Sequence, residues 1–153
     1  MIPYSRCIFL TAFLAIAGRA ASLPAGCAAL SDGYLTARLA TWQQWLGLEN
    51  WKISLIMSPG RDLKPNTVGN IHWDADSKTA VIRVLEAGEY QLPCPSMLND
   101  MEFTLVHELV HLELSSLPRS PASRSEEEHA VNRITDALLA LERRSAAHNQ
   151  TSR

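Results

Sequence analysis

The chain has no excess of basic residues. Its 14 Lys and Arg face 16 Asp and Glu, a formal net charge of −2, which leaves no electrostatic footprint for nucleic acid. It has no apolar stretch long enough to cross a bilayer. The most apolar one, residues 7–18, falls short of the ~20 residues a spanning helix needs. It lacks the compositional bias of a disordered or fibrous chain. Cysteine is scarce: besides Cys7, only Cys27 and Cys94 occur, and they can be either a disulfide or two free thiols. What remains is 153 residues of ordinary composition, enough for one domain with a real core.

Residues 1–22 lack Asp and Glu altogether. Arg6 precedes the apolar stretch, and Ala20-Ala21-Ser22 follow it. This is the order of a secretory signal peptide, with cleavage after Ala20 or Ser22. The expectation is a secreted or periplasmic protein with no stable membrane span after cleavage, a domain over 28–145 and a disordered tail over 146–153. Pro24-Ala25-Gly26-Cys27 is a poor match to a lipid-attachment box, because Leu23 lies one place too early.

Ser31-Asp32 is read as the cap of a first helix running to Leu46, with Leu35, Leu39 and Trp42 on its apolar face and Gly47 as its stop. Three strands follow, at 51–57, 68–73 and 79–85, the last two paired as a hairpin around Asp74-Ala75-Asp76-Ser77. The Asp-x-Asp pair lacks the other ligands of a calcium loop and reads as a turn. Residues 86–95, with two prolines, read as a loop. A second helix is predicted from an Asn99 cap. The last is placed over 125–144, with Val131, Ile134, Leu138 and Leu141 as its apolar positions.

The second helix carries the chemistry. Its sequence His107-Glu108-Leu109-Val110-His111 places two imidazoles four residues apart, on one face. That spacing suits one zinc ion held by both His residues, with the Glu as general base. Leu105, Leu109 and Leu112, extended by Phe103, Val106, Val110 and Leu114, make the helix apolar over more than half its circumference. His107, Glu108 and His111 share the remaining sector, whereas Glu102 and Glu113 point elsewhere and read as solvated. Catalytic zinc takes three protein ligands and keeps one open position. Glu126, Glu127 and Glu128 are the candidates for the third, although three carboxylates at a helix start also favour the helix dipole. Ligating His residues pass their second N–H to an acceptor. Asn132 stands one turn after Glu128 and can accept it. Glu127 has Val131 at that position and Glu126 has Ala130. Glu128 is therefore preferred, with Glu127 the alternative.

His-Glu-Leu-Val-His followed by Glu128-His129-Ala130-Val131-Asn132 resembles the gluzincin metallopeptidases, which carry His-Glu-x-x-His on one helix and Glu-x-x-x-Asp/Asn on the next. The resemblance is to small, minimal zincins of bacteria and phages rather than the large thermolysin type. It is specific over residues 97–141 and looser over 30–85. It implies an α+β zincin-like domain, one zinc ion at His107, His111 and Glu128, Glu108 as base, and a peptide or protein substrate. The large enzymes hold the oxyanion with His and Tyr from a second domain that this chain has no room for. His129, His72 and Tyr90 are the substitutes on offer. A strand edge within 79–85 is expected to hold the substrate by strand addition. Three other readings stand beside this one: a zinc-stabilised domain without turnover, an amidase acting on a cell-wall amide, and a helical interaction domain whose motif is accidental.

Overall fold

The computed structural model describes residues 25–118 and 124–151. The expected signal segment, 1–22, and residues 152–153 lie outside the described residues. The described chain is α+β, with three helices, α1 (Ala25–Trp45), α2 (Cys94–Glu113) and α3 (Arg124–Thr151), and three strands, β1 (Lys52–Ser58), β2 (Gly69–Asp74) and β3 (Thr79–Leu85).

Helix α1 begins before Ser31. The Ser31 hydroxyl does not cap a helix start but donates back to the Ala28 carbonyl at 2.7 Å, inside the helix. Ala28, Ala29 and Leu30 upstream favour helix, and Cys27 is tied to Cys94 by a disulfide with Cα atoms 6.0 Å apart. The other end stops as the sequence predicts. Gly47 takes φ +67, the Leu48 N–H donates to the Gln43 carbonyl at 2.8 Å and the Gly47 N–H to that of Gln44 at 3.3 Å. This pair of bonds, with Leu48 buried behind them, closes the last turn without a stray carbonyl.

The sheet has the order β1-β3-β2. β2 and β3 form the expected antiparallel hairpin, Ile71 opposite Ile82, while β1 runs parallel to β3, Leu55 opposite Ile82. The Asp74 carboxylate accepts from the Asp76 and Ser77 N–H groups, so the Asp-x-Asp pair is a turn. The expectation that residues 79–85 supply a free strand edge is corrected here. β3 is the central strand, both its ladders are used, and Ala80, Ile82 and Val84 are buried. The strand beside α2 that stands at the end of the sheet, among the described residues, is β2.

Helix α2 starts at Cys94, well before Asn99. The two prolines read as loop are part of that start. Pro93 is the N-cap, and its carbonyl accepts from the Met97 N–H at 2.9 Å. Pro95 falls in the first turn, where a missing N–H costs nothing. α2 touches α1, α3, β2 and β3, and Met97, Met101, Leu105, Val106, Leu109 and Leu112 are sealed from solvent.

Helix α3 runs on to Thr151, past the point where the sequence reading ends it and into the stretch expected to be a disordered tail. No Gly or Pro occurs between Arg124 and Thr151, so nothing terminates it. Its buried face is also turned relative to expectation. Val131, Thr135 and Leu139 are buried, whereas Ile134 and Leu141 are 40% and 51% exposed.

Glu102 is a second correction. It is not solvated but 6% exposed, accepting from Trp42 Nε1 at 2.8 Å, from the Tyr34 hydroxyl and from Arg38 Nε. Arg38 also reaches Glu142 of α3 through Nη2 at 3.0 Å. Burial and the Glu102 carboxylate push the Tyr34 hydroxyl up to about 12, so it remains a donor. One carboxylate thus joins α1 to α2, and Arg38 extends the link to α3. Removing it strands buried donors. Glu102→Ala is expected to lower the unfolding free energy by about 2–4 kcal/mol, read as a fall in urea midpoint at unchanged slope. A midpoint like that of the wild type would show that the network adds nothing.

Candidate metal centre

α2 and α3 lie side by side in opposite directions, so early residues of α3 meet late residues of α2. Asn132 Oδ1 is 3.1 Å from His107 Nδ1, and Glu127 Oε1 is 3.2 Å from His111 Nδ1. With each Nδ1–H donated to its oxygen, the two Nε2 atoms carry the lone pairs. These Nε2 atoms converge to 3.1 Å. Glu128 completes the cluster, Oε2 lying 3.4 Å from His107 Nε2 and Oε1 3.3 Å from His111 Nε2.

Two lone pairs and a carboxylate aimed at one point repel each other unless a proton or a metal ion sits among them. The spacing fits such an ion. A tetrahedral metal with metal–nitrogen bonds of about 2.0–2.1 Å sets neighbouring ligand atoms about 3.3 Å apart. His107, His111 and Glu128 can hold a metal ion. Burial, and then the His111 ring, hold the His107 pKa below the usual imidazole value against the pull of Glu128. A neutral imidazole is the form that ligates.

The sequence argument for Glu128 is met in part. Asn132 takes the His107 N–H as proposed. Glu127, set aside as a ligand because Val131 follows it, has a role that reasoning did not supply: it accepts from His111. The signal was present in the spacing, since Glu127 and Asn132 both flank Glu128 on the side facing α2.

Glu108 is 7% exposed. Burial, and after it the Glu128 charge, push its carboxyl up to about 7, with Lys64 pulling the other way. β2 comes close to it at Gly69. A Cβ there would fall 2.3 Å from Thr104 Cγ2 and 2.9 Å from the Arg83 carbonyl oxygen, and 3.4 Å from Glu108 Oε1. Only glycine lets the strand lie this near the helix.

His107, Glu108, His111 and Glu128 all line a cleft of about 820 Å³ that runs along β2 from Val68 to Trp73. Of the three residues offered for the oxyanion, His72 lines this cleft. Tyr90 is buried away from it, its hydroxyl raised well above the ordinary range by burial and the Asp100 charge. His129 is exposed and turned away from the cleft wall. Lys64 and Arg124 line the cleft as well. Sequence reasoning missed both. Arg124 stands four residues before Glu128 and was findable on helical spacing, whereas Lys64 sits in a loop whose path no periodicity reveals.

No protein-family model, curated protein or solved structure matches this chain.

Glu128→Ala is expected to abolish stoichiometric metal binding. Asn132→Ala and Glu127→Ala, which each strip one imidazole of its acceptor, should weaken binding roughly 10- to 100-fold. Metal content after gel filtration and competition with a chromogenic chelator measure both. Full metal content in Glu128→Ala would remove it from the ligand set.

Proposed function

We propose that this protein is a zinc metallopeptidase on a minimal zincin-like fold. One zinc ion is held by His107, His111 and Glu128, and Glu108 is the general base. The observation that carries the reading is a buried carboxylic acid beside three convergent ligand atoms, all opening on one cleft. Two imidazoles and a carboxylate form the donor set of hydrolytic zinc. Zinc, when bound, supplies Lewis acidity toward water and a substrate carbonyl. Glu108 takes the proton of the attacking water and passes it to the leaving amine. A carboxyl raised to about 7 is suited to both transfers near neutral pH. β2 is the end strand of the sheet among the described residues and lines the cleft, which supports capture of an extended peptide by strand addition. His72, on that strand, lines the same cleft and is the candidate to meet the carbonyl oxygen.

A zinc-stabilised domain without turnover would close the ion off. The Glu128 side chain is 56% exposed and the cluster faces the cleft, which favours the catalytic reading. The same groups would hydrolyse a cell-wall amide, but an end strand lining the cleft favours a peptide chain. The Cys27–Cys94 disulfide supports a secreted or periplasmic site of action.

Glu108→Gln should keep its zinc and lose about 10²–10⁴-fold in kcat. A variant that keeps both zinc and full activity sinks the assignment of the base. A base works only after losing its proton, so kcat/KM should rise with pH along an acid limb. That limb should lie at or below pH 7, because a bound dication pulls the Glu108 carboxyl down from the metal-free value of about 7. A pH profile of kcat/KM with no acid limb in the wild type would count against it equally.

A further inference from the structure

Two charges on the cleft wall have no part in the hydrolytic chemistry. Lys64 and Arg124 both line the cleft, and among the described residues neither forms an ion pair. Lys64 is held in place. Leu63 before it is buried. Its own carbonyl accepts from the Thr67 N–H at 3.1 Å and from the Thr67 hydroxyl at 2.8 Å, and Asn66 closes the turn at φ 61. Arg124 opens α3 one turn ahead of Glu128, on the same side of the helix.

The charge of the cleft depends on the metal. Lys64 and Arg124 stand against Glu108, Glu127 and Glu128. A divalent ion tips that balance to one net positive charge, in a chain whose own formal charge is −2. Asn66 and Asn70 on the same wall add amide groups and no charge. A cationic recess on an acidic molecule concentrates anions, since field lines focus in a low-dielectric cleft.

We propose that the site selects substrates bearing a carboxylate close to the scissile amide, with Lys64 and Arg124 as the residues that receive it. This rests on the hydrolytic reading above and names its substrate class. The carboxylate can be an acidic side chain or a chain terminus, and the two are separable.

Binding can be measured without turnover on zinc-loaded Glu108→Gln protein, by fluorescence anisotropy. Three labelled peptides of equal length serve as probes. One has internal Glu residues and a blocked C-terminus, one is neutral with a free C-terminal carboxylate, and one has internal Lys residues and a blocked C-terminus. At least one carboxylate-bearing peptide should bind about 10-fold or more tightly than the Lys peptide, and that peptide identifies the source. The advantage should shrink as salt rises and vanish in a protein that also carries Lys64→Glu and Arg124→Glu. Both side chains are exposed and Glu is favourable at a helix start, so these variants keep the fold. Equal affinities, a preference for the Lys peptide, no measurable binding of any probe, or a preference untouched by the double substitution overturns the proposal. Incubating wild-type protein with the best-bound peptide separates the two claims. Preference without cleavage counts against the peptidase, and cleavage without preference counts against the carboxylate.

Discussion

Helix α2 is enclosed by α1, α3 and the sheet, and an enclosed helix must find a partner for every polar side chain it carries. That constraint organises the molecule. At one station, Glu102 is met by three donors from α1 and left with nothing to do. At the other, His107 and His111 give their Nδ1 protons to α3 and turn their remaining lone pairs toward each other and toward Glu128. The first station is complete within the protein, and its effect is cohesion. The second converges on one point, where a metal ion can be held.

Glu108 shows the same tension in a third form. Its carboxyl is buried between β2 and the cleft, with no fixed donor among the described residues, so its proton is held more tightly than an exposed carboxylate would hold it. Gly69 keeps the strand close enough to enforce that burial. The geometry that makes Glu108 costly to ionise is what would fit it to the proposed role of base, so stability and that proposed chemistry draw on the same contact.

Much of the site was legible in the sequence because it obeys helical periodicity. His107, Glu108 and His111 share a sector by spacing alone, and Asn132 follows Glu128 by one turn. The hairpin was legible from the turn residues Asp74-Ala75-Asp76-Ser77 between two apolar runs. What stayed hidden depends on contacts between elements distant in the chain. Glu102 looks like a surface acid until Tyr34, Arg38 and Trp42 arrive from α1. β3 looks like an edge until β1 adds in parallel from the far side, a pairing that no local turn signals. The phase of α3 followed neither Ile134 nor Leu141, because the face carrying Glu128, Asn132 and Val131 is the one turned to α2. Pro93 and Pro95 were read as loop because proline breaks helix interiors, yet they occupy the cap and first turn, where that objection does not apply.

The Cys27–Cys94 bond closes a ring of chain, with a sequence separation of 67, that encloses most of α1, all three strands and the first residue of α2. A peptide bond cut anywhere inside that ring leaves its two fragments joined. The link between α2 and α3 lies outside it. One cut there leaves α3, with Glu128, Glu127 and Asn132, held to the rest by packing and by noncovalent contacts such as the Arg38–Glu142 pair. The covalent topology therefore ties α1 and the sheet to the start of α2, while His107, His111 and Glu128 all stand outside the ring.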